Sequence, residues 1–140
     1  GEILKPWEFY TGSEWVNDSR LAKPMTDWKG SEQFSVVKLK DKYVLLTQCG
    51  EFLASSLCSA TSDLPYTGWE NKKELWEIQP LKRVKDLFAY NPVAHPQFME
   101  GDDLLVSYCV NSFNLDDLFE DAGKYRPVFI RVPVHLILKD

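Results

Sequence analysis

Apolar and polar residues alternate along much of the chain in short runs that turn-forming residues separate. Runs rich in β-branched and aromatic residues predict strands at residues 34–39, 43–49, 52–58, 74–78, 87–90, 104–110 and 128–138. One helix of a turn or two is predicted after Asn114, which would be its N-cap, with acids in its first turn and Gly123 at its end. The pattern is that of an all-β protein.

The strands fall into two successive antiparallel sets, one beginning near Phe34 and the other near Leu87. This spacing is about the length of one propeller blade with a generous loop. Residues 104–110 and 128–138 are apolar on both alternating faces, which predicts sheets that are covered on both sides, as stacked blades are. Pro133 lacks an N–H for the ladder and should lie at an edge or a bulge.

The three cysteines are Cys49, Cys58 and Cys109. A tight turn after Cys49 would place it near Phe52 and Cys58 near Tyr43, so we expect no disulfide between these two cysteines. The odd count leaves at least one free thiol, and the apolar neighbours favour buried, inert thiols. Because no cysteines or histidines stand at the short spacings of a metal site, we expect no metal and no cofactor.

Composition excludes some classes of partner. Hydrophobic residues make up 44% of the chain and charged residues 26%, the balance of a folded protein, and the aromatic share of 14% suits both strands and sugar-binding surfaces. The net charge is −5 and the cations are scattered, which argues against nucleic acid. No apolar run reaches the roughly 20 residues of a membrane-spanning helix, so no membrane partner is expected. Gly1 without a preceding Met suggests a processed or engineered start, which says little about the compartment. We separately expect an extracellular or periplasmic protein.

Four ordered motifs resemble a known family. They are GSEQFSV with KYVLLT (residues 30–36 and 42–47), YNPVAHPQF (90–98), LLVSYCVN (104–111) and YRPVFIRV (125–132). Over roughly residues 26–133 they resemble the C-terminal part of uncharacterised bacterial and fungal proteins with a five-bladed β-propeller fold. Those proteins are similar to propeller glycosidases that act on arabinans, xylans, fructans and agar-derived sugars.

The resemblance implies that residues 1–140 form a partial propeller with a carbohydrate ligand. Residues 1–25 would be the tail of a preceding blade or a loop, 26–80 one four-stranded blade, and 81–140 a second blade. A five-bladed propeller needs several hundred residues. We therefore expect the open faces and edges of these blades to meet the remaining blades of a longer protein or to self-associate.

Glu32 and His95 are the candidate catalytic residues. The resemblance implies that Glu32, just before the first strand of its sheet, is a general acid, whereas the alternative is a solvated turn carboxylate beside Lys29. His95 lies in a loop stiffened by prolines and could bind sugar hydroxyls or shuttle a proton. Its alternative is a loop histidine bonded to backbone.

Asn91, Asn111, Tyr125 and Arg126 are the candidate substrate-binding residues. Side-chain amides suit sugar hydroxyls but equally suit turns and caps. Arg126 could bind a carboxylate, or it could form a structural ion pair with an aspartate of the predicted helix. The tryptophans near the N-terminus could stack on sugars or pack a loop against the sheet.

Two expectations make these assignments testable. If the first strands of the two blades lie side by side, His95 and Asn111 should be in contact or one water apart, with Glu32 facing the same opening. Because a glycosidase needs two carboxylates and the second would lie in earlier blades, we expect no turnover from this chain alone. The rival hypotheses are a non-catalytic sugar-binding β-sandwich and a truncated structural or interaction protein.

Overall fold

The computed structural model describes residues 6–51, 53–79 and 85–138, and these residues form three antiparallel sheets. The small sheet pairs β1 (Phe9–Tyr10) with β2 (Trp15–Val16). The first sheet has the order β3 (Phe34–Leu39), β4 (Lys42–Gln48), β5 (Ser56–Ser62) and β6 (Glu70–Glu77). The second sheet has the order β7 (Leu87–Glu100), β8 (Asp103–Ser112) and β9 (Arg126–Pro133).

Short helices complete the described chain. They are α1 (Leu115–Glu120), α2 (Val134–Leu138) and two 3₁₀ turns at Ser19–Leu21 and Ala122–Lys124. No helix in the described ranges is long and apolar enough to cross a membrane. The all-β prediction is confirmed, but these residues form neither a closed barrel nor a closed propeller.

The local predictions hold best where a pattern is complete within a few residues. The strand predicted at 34–39 is β3, and the strand at 104–110 lies inside β8. Asn114 caps α1 as predicted, because its side-chain oxygen accepts the N–H of Asp116 at 3.2 Å. The helix ends at Glu120, earlier than Gly123, because Asp121 adopts an extended conformation.

The last predicted strand is wrong in its second half. β9 ends at Pro133, on the edge of the sheet where a missing N–H costs no ladder bond, as expected for this proline. The chain then turns into α2, which buries Val134 and Ile137 at helical spacing. The second sheet consequently has three strands in the described chain, where a four-stranded blade was predicted.

The prediction for the cysteines is also wrong, because Cys49 and Cys58 form a disulfide with a Cα–Cα distance of 4.8 Å. The strand predicted at 52–58 begins later, as β5, so the connection after β4 is a loop and not a tight turn. Cys58 therefore pairs with Thr47 across the ladder, which places Cys49 diagonally beside it. Phe52 lies outside the described residues, and Cys109 is the free thiol and is only partly buried.

The first and second sheets share one core. Its fully or nearly buried members come from facing sides of both sheets and from α2: Leu39, Val44, Leu46, Leu57, Ile78, Ala89, Ala94, Leu104, Val106, Tyr108, Val110, Val132, Val134 and Ile137. The other face of the first sheet carries a second cluster, Leu45, Ala60 and Trp69, against which Met25 and Trp28 pack. The first sheet is therefore covered on both faces.

β3 and β7 are the first strands of their sheets, and they lie side by side without pairing. The N–H of Ala94 in β7 donates to the Ser35 hydroxyl in β3 at 3.0 Å. Past the ends of the same two strands, Lys40 and Asp102 form an ion pair at 3.0 Å. The two strands therefore run in the same direction.

The outer face of the second sheet remains open in the described chain. Phe98, Phe113 and Phe129 are 59%, 67% and 57% exposed. The described residues therefore do not supply the predicted cover for this face, and its cover by further blades or by self-association stays a prediction.

Candidate functional site

A cavity of about 230 Å³ opens at one end of the second sheet, and we call it the Tyr125 pocket. The antiparallel register aligns Tyr90 of β7 with Cys109 of β8, and Cys109 with Pro127 of β9. The lining residues are Tyr90, Cys109, Val110, Tyr125, Arg126 and Pro127. Two of the predicted substrate-binding residues, Tyr125 and Arg126, are therefore in its wall.

Asn111 follows the pocket residue Val110 in β8, and its side-chain oxygen accepts the N–H of Ser112 at 2.8 Å. Burial raises the pKa of the Tyr90 phenol in the pocket wall, the neighbouring Cys109 and Tyr125 raise it further, and the Asn111 side chain opposes them. The Tyr90 phenol therefore stays protonated over the neutral range and can donate a hydrogen bond.

Asn91 follows Tyr90 directly but is exposed and does not line the pocket. Its φ of +55° coincides with the register shift between Tyr90 and Val93, so it forms a bulge in β7 and not the start of a loop. Asparagine tolerates this left-handed conformation better than most residues, which explains its presence here.

Arg126 is exposed, and it is not the partner of Asp117 in the ion pair of the neighbouring helix α1. Asp117 of α1 is held instead by Lys124 at 3.4 Å and by the Ser112 hydroxyl at 2.9 Å. The guanidinium therefore remains available at the mouth of the Tyr125 pocket.

His95 lies in the middle of β7 and not in a loop, because the strand continues through Pro92 and Pro96. Its Nε2 atom is hydrogen-bonded to the Ser107 hydroxyl at 2.7 Å. The ring lies 6.4 Å from that of Phe98 and 6.2 Å from that of Phe129, on the open face of the second sheet. The histidine is therefore bonded to a side chain, whereas the alternative interpretation expected a bond to the backbone.

The predicted contact between His95 and Asn111 is wrong. His95 pairs with Leu105 and Asn111 with Phe88, so the two positions lie six residue steps apart along β8. At the strand rise of about 3.3 Å per residue this is roughly 20 Å. The register of a continuous hairpin, which the loop assignment for His95 did not foresee, decides this separation.

Glu32 is exposed in the loop before β3 and does not line the Tyr125 pocket. Its neighbours Ser31 and Phe34 instead line a second cavity. Glu32, His95 and Asn111 therefore do not share one opening, whereas Asn111, Tyr125 and Arg126 come together.

The second cavity, of about 380 Å³, lies between the N-terminal segment and the first sheet, and we call it the Trp28 pocket. Its walls are Pro24, Met25, Thr26, Trp28, Lys29, Gly30, Ser31, Phe34, Leu45, Thr47 and Glu51. Sequence reasoning missed this pocket because its two sides are far apart along the chain. The available signal was the run of Trp28, Lys29 and Gly30 a few residues before a strand.

Two tryptophans near the N-terminus, Trp7 and Trp15, line neither of these two pockets. Trp15 meets Tyr10 and Tyr66 with ring centroids 5.3 Å and 4.9 Å away, which confirms the packing interpretation for this residue. Trp7 is 79% exposed, and its carbonyl accepts a hydrogen bond from Asn17 at 3.0 Å. No group of three or more His, Cys, Asp or Glu side chains in the described ranges is arranged to hold a metal ion.

Comparison with known proteins gives one family and one fold. A family model described as a domain of unknown function, DUF5005, matches residues 1–135. The crystal structure of a "putative hydrolase" from Bacteroides ovatus is similar, with a TM-score of 0.75 and 19% sequence identity over 99% of this chain. This chain spans 39% of that protein. No curated protein sequence matches.

Proposed function

We propose that this chain, which belongs to the DUF5005 family of domains of unknown function, forms two blades of a larger carbohydrate-processing β-propeller. The observation that carries the proposal is the arrangement of β3 and β7, which lie side by side and run in the same direction. Inner strands of neighbouring propeller blades have this relation around a channel. The similar Bacteroides ovatus structure is named a "putative hydrolase", and that name is the comparison's support for a hydrolytic role.

The Tyr125 pocket is the proposed sugar contact. Its wall contains the phenols of Tyr90 and Tyr125 and the guanidinium of Arg126, and the amide of Asn111 would approach from the next position of β8. Aromatic rings offer an apolar platform to a sugar, while amide and guanidinium groups bond its hydroxyls or a carboxylate. Asn91 would contribute from the adjacent bulge.

Catalysis would require groups from outside this chain. Glu32 remains the proposed general acid and His95 the proposed proton carrier, each needing a neighbouring blade to close a site around it. The second carboxylate of a glycosidase would come from that blade too. We therefore expect no hydrolysis by this chain alone.

The partner and the compartment are part of the same proposal. The open face with Phe98, Phe113 and Phe129 would meet a further blade of the longer protein or a second copy of this chain. The Cys49–Cys58 disulfide supports an extracellular or periplasmic location, because such bonds persist in oxidising compartments.

Titration of arabinan-, xylan- and fructan-derived oligosaccharides, followed by NMR chemical shifts, tests the sugar contact. We expect one of them to shift the Tyr125 pocket, and Arg126→Gln to weaken its binding about ten-fold. Arg20→Gln, an exposed arginine held by Asp18, is the matched control and should bind like the parent chain. Failure of the whole panel to bind, or equal affinity in Arg126→Gln, would contradict the assignment.

A non-catalytic β-sandwich is the second candidate, and the core shared by two facing sheets favours it. Binding and activity assays on the longer protein distinguish these two candidate functions. Glycan binding without turnover would favour the sandwich, whereas turnover lost in Glu32→Gln would favour the propeller enzyme.

A further inference from the structure

We infer a second ligand site in the Trp28 pocket, for a small ring compound that carries a carboxylate. The inference is independent of the proposed function, because it concerns a different cavity on the first sheet and stands even if the Tyr125 pocket binds no sugar. A volume of about 380 Å³ lies within the range of small-molecule sites.

The apolar part of the site is a partly exposed aromatic ring in the wall of the cavity. Phe34, the first residue of edge strand β3, is 47% exposed although it lines the cavity. Leu45 behind it is buried, and Met25 borders the same space. The face of a sugar or of a carbocyclic ring can therefore pack on Phe34 without disturbing the core.

The charged part of the site already binds a carboxylate. Lys29 and Glu51 both line the cavity and form an ion pair at its rim, with side chains 79% and 69% exposed. Each shifts the pKa of the other, raising that of Lys29 and lowering that of Glu51, through their hydrogen bond. The carboxylate of Glu51 thus occupies the position that a ligand carboxylate would take.

A second lysine, Lys72, lies next to Lys29. The ammonium group of Lys72 lies 4.3 Å from the centre of the Trp28 ring. It also donates to the carbonyl oxygens of Lys29 at 3.2 Å and Cys49 at 3.1 Å. Lys29 in the wall and Lys72 beside it therefore offer two ammonium groups with which a ligand carboxylate can pair.

The loop that carries these groups is held in place before any ligand binds. The Ser31 N–H donates to the buried Thr47 hydroxyl at 3.0 Å, and the Thr26 hydroxyl donates to the Trp28 carbonyl at 2.8 Å. A Cβ on Gly30 would come within 3.2 Å of Thr47, so the loop lies directly on the sheet. A preformed pocket spends little binding energy on ordering its own loops.

Calorimetric titration with glucuronate, glucose and cyclohexanecarboxylate tests the inference. We expect both carboxylates to bind and glucose to bind at least about ten-fold more weakly, since it lacks the charge. Tighter binding of glucuronate would identify a sugar acid as the ligand, and tighter binding of cyclohexanecarboxylate an apolar acid. Equal binding of glucose and glucuronate, or no binding of either carboxylate, would overturn the inference.

Substitutions of exposed residues test whether the ligand binds in this pocket. Lys29→Gln and Phe34→Ala should each weaken carboxylate binding, Lys29→Gln by about ten-fold, while Glu51→Gln should strengthen it several-fold by removing the internal competitor. Lys38→Gln, whose ammonium lies 5.6 Å from the Tyr43 ring, and Glu14→Gln are matched controls without effect. Weaker binding in Glu51→Gln would overturn the inference, and Arg126→Gln, which tests the proposed function, should leave this binding unchanged.

Discussion

The first and second sheets have similar apolar patterns but differ in how they are buried. In the first sheet the successive residues Leu45 and Leu46 point to opposite faces, and both are buried, 4% and 1% exposed. In the second sheet Val106 is fully buried, whereas Phe129 on the opposite face is 57% exposed. A strand that is apolar on both faces therefore indicates that both faces of its sheet are to be packed against other residues. Within the described chain, only the first sheet is packed on both faces.

The largest expected effect comes from removing a side chain of the shared core. Leu46→Ala should destabilise the protein by about 3 kcal/mol, because it leaves a cavity between two packed sheets. Urea unfolding measures this loss. Phe129→Ala is the control from the open face and should change the free energy of unfolding by less than about 0.5 kcal/mol. Equal losses in the two variants would mean that the open face is covered.

Reduction of the Cys49–Cys58 disulfide should cost about 2.5 kcal/mol in the loop-entropy description, given a sequence separation of 9 residues. Because this description acts through the unfolded state and the two sheets share one core, the loss should reach the slowest-exchanging amides of both sheets. Hydrogen exchange with and without reductant, in a Cys109→Ser background, measures it. Acceleration confined to the first sheet would contradict a shared cooperative core.

Gln48 joins the two sheets by hydrogen bonds from one buried amide. Its Nε2 group donates to the Ala54 carbonyl at 2.7 Å and to the Ala89 carbonyl of β7 at 3.0 Å. Gln48→Leu should cost about 2 kcal/mol, because the buried Ala89 carbonyl loses its side-chain donor. Thermal unfolding measures the loss, and Gln79→Leu, at an exposed glutamine, should remain close to the parent protein.

The smallest effect on stability is expected on the open face, where self-association should change instead. Phe129→Ser should keep the free energy of unfolding within about 0.5 kcal/mol of the parent and shift light scattering at micromolar concentration towards monomer. Lys38→Ser, at an exposed position of the first sheet, is the comparison variant. A parent chain that stays monomeric over a wide concentration range would count against the propeller-fragment proposal.

The candidate site was predictable where its residues belong to one short motif. Tyr125 and Arg126 are neighbours in the chain and both line the Tyr125 pocket, while their role in substrate binding stays a prediction. His95 and Asn111 were misplaced relative to each other, because their distance depends on the register of β7 and β8. The Trp28 pocket was not predicted, since its walls come from separate segments.

Features set by a few neighbouring residues were readable from the chain alone: the strand character of β3 and β8, the Asn114 cap and the place of Pro133 at a sheet edge. The Cys49–Cys58 pairing, the side-by-side run of β3 and β7, the end of β9 at Pro133 and the open sheet face became visible only in the folded molecule. The physical reason is that backbone preference and side-chain alternation act over a few residues. Register and coverage depend instead on loop lengths and on segments that meet across the fold.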